Sequence, residues 1–373
     1  MRLTLVIYSL SAGGAERVMS TMANYWAGKG WPVTLMTFED GGQAPFYNLH
    51  PAIILRPLGI AGKSSNVIQG LKNNFRRFFA LRRAIQSSAP EAVVSFMSRT
   101  NVLVLLATLG LNFPVIISER GVPSSRSIGS VWERLRRRVY GRSSCLVVQS
   151  QEVLKYFSEE PKLCARVIPN PVVAINGHES GSKGNGLRKT ERVLMSMGRL
   201  LDIKGYDLLL QAFSGIAPNH PDWSLVIWGE GPQRASLEKL RDDLKLQERV
   251  EFPGLTKVPH EKMKHADLFI LSSRHEGFPN VICEALATGL PVISFDCPCG
   301  PKEIIRQNID GILVPPEDTK ALAAAMDRLM GDDEERNRLA KRGPEVFERF
   351  GLEKVMGMWE EILTSSLEKK INE

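Results

Sequence analysis

The sequence predicts two doubly wound α/β domains facing across a cleft. Three observations carry that expectation. Short apolar runs alternate with amphipathic stretches, the pattern of parallel β/α units covered on both faces of a sheet. The pattern stops once, in a stretch dominated by Gly, Ser, Asn and Lys, and then starts again. At 373 residues, 43% of them hydrophobic, the chain is too long for one ordinary core and has enough apolar material for two.

The elements follow in order. "LTLVIYS" reads as a first strand that runs into a glycine turn and a helix over about residues 15–29. "PVTLMTFE" is the next strand, and a basic helix covers roughly residues 67–87. "AVVSFMS", "PVIISE" and "CLVVQS" are further strands. Residues 1–172 form the first domain and 173–190, centred on "AINGHESGSKGNGLRKT", the linker. The second domain, 191–350, repeats the pattern with strands "VLMSMGR", "SLVIWGEG", "RVEFPG", "LFILSS" and "PVISFD". Its helices are expected near 207–217, 233–244, 259–265, 280–287 and 302–306. A last helix covers about 352–370 within a closing segment, 351–373. In such sheets ligands bind at the carboxyl ends of the strands.

Composition excludes several classes. The five cysteines, Cys145, Cys164, Cys283, Cys297 and Cys299, form no disulfide framework and suit reduced thiols; Cys297-Pro298-Cys299 is too tight for a zinc knuckle. The apolar start leads straight into a turn and reads as a strand, not a signal peptide. The longest other apolar run, "NVLVLLATLGLNFPVII", is broken by Gly110, Asn112 and Pro114, so no spanning helix is expected. The net charge of +7 is uneven. Residues 1–172 hold 21 Lys and Arg against 9 Asp and Glu, and the remainder 27 against 32. Only the first half is therefore expected to meet an anionic surface.

The stretch "SSRHEGFPNVICEALATGLPVISFD" concentrates the chemistry. A strand ends at its front and the turn Gly277-Phe278-Pro279-Asn280 leads into a helix, with Pro279 suited to the first helical position. Free amides at that helix start suit an anion. Glu276 lies just before the helix and Glu284 in its second turn, about 6–8 Å further along. Each carboxylate can accept from adjacent hydroxyls of a ribose or a sugar. The bland alternative is a capped helix with two solvated glutamates. In "MGRLLDIKGYD", Arg199 and Lys204 precede another helix, where two cations can neutralise a departing diphosphate, although a solvated face would look the same. Gly13 and Gly14 follow the first strand without completing a dinucleotide fingerprint, so a plain tight turn stands beside a phosphate site.

Taken together, "GGAERV", "GRLLDIKGYD", "GEGP" and "HEGFPNVICEALATGLPVIS" resemble the retaining, GT-B-fold glycosyltransferases often called family 4, in collinear order from about residue 3 to 345. Glu276 and Glu284 match that family's E-x7-E motif. The resemblance implies the GT-B fold, two Rossmann-like doubly wound domains, with the nucleotide sugar on the second and the acceptor on the first. It implies that Glu284 holds the ribose, that Arg199 and Lys204 bind the diphosphate, and that Glu276 with Gly277, Phe278, Pro279 and Asn280 addresses sugar and phosphate. Gly14 would line the phosphate from the first domain, Glu16 and Arg120 would serve the acceptor, and the last helix would cross back to the first domain. The nearest flavour, in "GGAER" and "IISER", is that of bacterial transferases extending undecaprenyl-diphosphate-linked glycans, which favours a UDP-linked hexose or N-acetylhexosamine. A GDP-mannose-dependent mannosyltransferase is the alternative, ahead of a nucleotide-sugar epimerase of the same fold. One departure stands out: Arg120 occupies the place where many members carry a histidine. Either Arg120 takes over a hydrogen-bonding role, or the donor or acceptor differs. No Asp-x-Asp occurs in the chain, and neither a metal nor another cofactor is expected.

The partners expected are a nucleotide sugar, a lipid-linked or glycan acceptor and an anionic membrane surface, with no nucleic acid. "LKNNFRRFFALRR" and "VWERLRRRVYGR" interleave arginines with Phe, Trp132 and Tyr140. Such basic-aromatic helices lie on anionic leaflets, here on the inner face of the plasma membrane. The competing reading makes the aromatics core and the arginines solvated.

Overall fold

The computed structural model describes residues 1–62, 67–121, 128–157, 163–173 and 192–372. The predicted linker, from residue 174 onward, lies outside them. The chain divides into two compact units, Met1–Pro171 with Glu353–Glu373, and Val172–Leu352.

The first unit starts with β1 (Leu3–Ile7), α1 (Gly14–Gly28), β2 (Val33–Thr37), β3 (Ile54–Pro57), α2 (Val67–Ser88), β4 (Ala92–Phe96) and α3 (Ser98–Ala107). It continues with β5 (Val115–Ser118), α4 (Ser130–Val139), β6 (Cys145–Val148), α5 (Gln151–Phe157) and β7 (Ala165–Val167). Its seven strands pair in parallel in the order β3-β2-β1-β4-β5-β6-β7. Every residue of β1, β2 and β4 is buried, which is why these strands are unbroken apolar runs and not alternating ones. Two elements escape a periodicity reading for physical reasons. β3 is an exposed edge strand ending at Pro57. α3 is buried from Thr100 through Leu105, so its apolar residues show no helical stripe.

The second unit runs β8 (Arg192–Met197), α6 (Tyr206–Ile216), β9 (Trp223–Trp228), α7 (Arg234–Asp243), β10 (Val250–Gly254), α8 (Pro259–Met263), β11 (Leu268–Leu271) and α9 (Asn280–Ala287). β12 (Val292–Phe295), α10 (Pro301–Ile304), β13 (Gly311–Val314), α11 (Thr319–Gly331), α12 (Asp333–Arg342) and α13 (Val346–Phe350) complete it. The sheet is six-stranded and parallel, in the order β10-β9-β8-β11-β12-β13. Asp318 caps α11 by accepting from the amides of Lys320 and Ala321, and Asp332 caps α12 through Glu335. In both sheets strand order reverses at one place, between β1 and β4 and between β8 and β11. There the loops at the carboxyl ends diverge and leave room for a ligand.

The last helix, α14 (Leu352–Asn372), belongs to the first unit from Glu353 on. Trp359 is fully buried with its ring 6.2 Å from that of Phe96. Tyr25 Oη donates to Glu353 at 2.7 Å and Lys29 Nζ to Glu360 at 2.8 Å, tying α14 to α1. Trp359→Ala should therefore cost about 3–5 kcal/mol and lower the melting temperature of the first unit by on the order of 10 °C in calorimetry.

Candidate active site

The chemistry-bearing residues of the second unit collect at its strand-order reversal. β8 and β11 are paired neighbours, and the loops that leave them touch. Gly205 makes that contact possible. It has φ +61, and a Cβ there would lie 2.0 Å from the carbonyl oxygen of Ser272. Only glycine satisfies both conditions. Ser272 Oγ then donates to the Lys204 carbonyl at 3.0 Å, and the Arg274 amide to the Ile203 carbonyl at 2.9 Å.

This contact places Lys204, on a 3-10 turn before α6, against Glu276, on the loop after β11. Lys204 Nζ lies 2.6 Å from Glu276 Oε1, and Ser273 Oγ donates to the same oxygen at 2.6 Å. The two side chains are 19% and 11% exposed, so the pair is shielded but reachable. Lys204 has three N–H donors and spends one on Glu276. The buried Tyr206 hydroxyl lies in the same environment; burial, and after it the Glu276 charge, push its pKa up.

Glu276 leads into the start of α9. No side chain caps that helix. Pro279 is the N-cap residue, one position earlier than the sequence suggested, and Asn280 opens the helix. Gly300 backs the turn closely: a Cβ on it would meet Pro279 Cδ at 2.6 Å and the Gly277 carbonyl at 3.0 Å. The Phe278 side chain is core, packed edge-on against Phe350 at 5.5 Å, so only its backbone faces a ligand role. Pro279 has no amide hydrogen and shapes the turn without donating. Glu284 is 5% exposed, in the second turn of α9. Neither glutamate is a solvated surface group. Arg199 is exposed on the loop after β8.

The other expected site residues belong to the first unit. Gly13 is the N-cap of α1 and Gly14 its first residue. Glu16 folds back over them, accepting from Ser9 Oγ at 3.4 Å. Arg120 follows β5, and its Nη1 donates to Asn170 Oδ1 at 2.5 Å. Tyr140, grouped by sequence with a surface patch, is instead 1% exposed and donates to the buried Glu119.

The fold agrees with comparisons to known proteins. Residues 178–346 match the glycosyl transferases group 1 family and residues 12–174 glycosyltransferase family 4. The chain belongs to these glycosyltransferases. It is 28% identical to an alpha-1,4-N-acetyl-D-galactosaminyltransferase of Campylobacter jejuni, covering 96% of this chain and 97% of that one. It is 25% identical to the amylovoran biosynthesis glycosyltransferase AmsD of Erwinia amylovora, over 97% and 99%. An exopolysaccharide phosphotransferase of Streptomyces coelicolor is 29% identical over 99% of this chain, which spans only 41% of that relative's length. Among solved structures, sucrose-phosphate synthase of Thermosynechococcus elongatus superposes with a TM-score of 0.85 at 20% identity, over 98% of both chains. The fold is GT-B.

One residue of the candidate site was missed by sequence reasoning. Arg274 pairs end-on with Asp207, Nη1 and Nη2 donating at 2.9 and 2.7 Å; Nη1 also donates to the Asp202 carbonyl at 2.7 Å and Nε to Glu317 at 3.0 Å. It thereby binds the Glu276 loop to the Lys204 loop and α6. Hydrogen bonding to Asp207 raises its own pKa. Burial alone would raise the Asp207 carboxyl, but the bonds and charge of Arg274 outweigh it and hold that carboxyl below the usual range. Its adjacency to the motif in "SRHEG" was the available signal. Arg274→Gln should loosen the Lys204–Glu276 geometry and lower kcat by about 10- to 100-fold, while leaving nucleotide affinity, read by thermal shift, nearly unchanged.

Proposed function

We propose that the enzyme transfers a hexose or N-acetylhexosamine, with retention, from a UDP-sugar to a lipid-diphosphate-linked or polysaccharide acceptor in surface glycan assembly. The observation that carries this reading is the shielded Lys204–Glu276 pair between two strand ends, with Glu284 buried behind it in α9. In this reading the free enzyme keeps its cation and its carboxylate satisfied by each other. The donor exchanges those partners: the diphosphate takes Lys204 and Arg199, and the sugar hydroxyls take Glu276. The amides of Gly277, Phe278 and Asn280 add donors at the α9 start, and Glu284 accepts from the ribose. As the anomeric C–O bond breaks, its electron pair adds one negative charge to the diphosphate of the leaving nucleotide, and the two cations and the helix start stabilise it without a required metal. The acceptor oxygen attacks from the same face and its proton passes to the leaving phosphate oxygen.

Relatives support the acceptor class. Two Campylobacter jejuni transferases similar to this chain, 28% and 26% identical, carry names that place their acceptors on undecaprenol through a diphosphate. HepE of Anabaena, alike in fold at a TM-score of 0.79, is described in complex with UDP-glucose. Lys204→Ala and Glu284→Ala should each abolish transfer with the fold intact by circular dichroism. Turnover near that of the unaltered enzyme in either would remove the assignment. UDP at about 100 times its Kd should add roughly 2.7 kcal/mol of stability, without divalent metal and in contrast to GDP, ADP and CMP. A shift with GDP alone would make GDP-mannose the donor.

The first unit also supports a membrane partner. Its basic runs divide into two groups. Arg77 and Arg82 are committed to backbone carbonyls of Ile60, Gly62, Ala107 and Leu109, and Arg136 is buried beside Glu133. Phe75 and Phe79 are 67% and 51% exposed on α2, with Arg83 exposed on the same helix, while Arg76 donates to the Gly59 carbonyl at 3.2 Å. Val131, Arg134, Arg137, Arg138 and Arg142 are exposed on and just after α4. α3 packs against both α2 and α4, so the two exposed faces flank one helix. Among the described residues no helix is long and apolar enough to cross a membrane. Phenylalanines that insert and arginines that attract suit an anionic leaflet, at about 1 kcal/mol per well-placed Arg. Phe75→Ser combined with Phe79→Ser should release the protein from phosphatidylglycerol vesicles in sedimentation. Retention at the level of the unaltered protein would remove the membrane partner.

A further inference from the structure

Arg120 carries a positive charge with too few partners. Among the described residues only Nη1 of its guanidinium nitrogens has a hydrogen bond, to Asn170. Nε and Nη2 are buried and, among the described residues, meet no acceptor. These two form the side edge of the guanidinium, the fork that grips two oxygens of a carboxylate or phosphate at once. The group lies 3.6 Å from the centre of the Phe96 ring and 5.7 Å from that of Trp359. The rings hold it in place and offset part of its lost hydration, but they accept no N–H bond along that edge.

The neighbouring carboxylate does not serve it. Glu119 already accepts from Ser98 at 2.7 Å and from Tyr140. Burial pulls the Arg120 pKa well down. The residue itself is partly exposed and follows β5 at the carboxyl edge of the sheet, where ligands of parallel sheets bind. An arginine held flat, with one buried edge unpaired and, among the described residues, no anion bonded to it, is costly for the fold to keep. That cost is characteristic of a functional site.

We infer that the unpaired Nε–Nη2 edge of Arg120 binds an oxyanion of the acceptor, either a bridging diphosphate or a carboxylate of an acidic sugar. The inference rests on the transferase reading and narrows its acceptor to an anionic one. Arg120 acts in binding and holds no reacting atom.

The test uses the full chain saturated with UDP, so that the donor site is filled. Inorganic pyrophosphate and glucuronate are titrated separately, and the melting temperature is read. One of them should stabilise the unaltered protein: pyrophosphate if the acceptor anion is a diphosphate, glucuronate if it is a carboxylate. Arg120→Met should lose that shift and keep the UDP shift. Arg120→Lys, which keeps the charge but not the fork, should bind the probe at least tenfold more weakly. Without any ligand, Arg120→Met should melt at or above the temperature of the unaltered protein, because it removes a buried cation whose hydrogen bonds are unmet. A structural role gives the opposite signs: a lower melting temperature and an unchanged probe shift in Arg120→Met. That result, or no shift with either probe in the unaltered protein, overturns the inference. Loss of the UDP shift in the unaltered protein is a separate failure, which removes the donor reading instead.

Discussion

The close approach of two loops in the second unit sets the geometry of the whole candidate site there. It depends on Gly205, whose left-handed backbone and missing Cβ admit the Ser272 carbonyl. With the loops in contact, Lys204 meets Glu276, Ser273 joins them and Arg274 closes the far side through Asp207. The result is a cation and a carboxylate held close together, in a site shielded enough for their charge to act strongly. In the proposed reaction such preorganisation matters, because the charge to be stabilised appears only as the sugar–phosphate bond breaks.

The same physics separates the arginines of the protein into groups that composition cannot distinguish. Some are staples: Arg77 and Arg82 satisfy loop carbonyls, Arg249 satisfies Trp223 and His220, and Arg306 bridges Asp310 and Glu345. Others, such as Arg83, Arg134 and Arg138, stand in solvent where only a partner would use them. Arg120 fits neither group, being desolvated and bonded along one edge only. The guanidinium serves all three settings because it keeps its charge when buried and presents its donors in a fixed plane.

Much of the architecture is legible in the sequence. Unbroken apolar runs such as "LTLVI" and "VVSF" announced parallel strands because sheets covered on both faces leave no polar side to alternate with. The helix 280–287 was expected with the bounds it has, since the Gly-Phe-Pro turn and the apolar spacing agree. β3 was missed because an edge strand needs no buried run, and α3 because full burial erases its period. α11 and α12 also went unread, although Asp318 and Asp332 cap them in the ordinary way.

The sequence by itself determined the fold class, the family and which residues carry charge at the strand ends, because these follow from local pattern and from motif spacing. It could not determine which of those residues touch. Lys204 and Glu276 are 72 positions apart, and only the pairing of β8 with β11 brings them to 2.6 Å. Arg274 reads as one more polar loop residue until Asp207, from a different helix, faces it. The unpaired edge of Arg120 is likewise invisible in "VIISER", since a missing partner is a property of the surroundings and not of the residue. Contacts between distant segments are fixed by sheet order and packing, and those exist only in the folded chain.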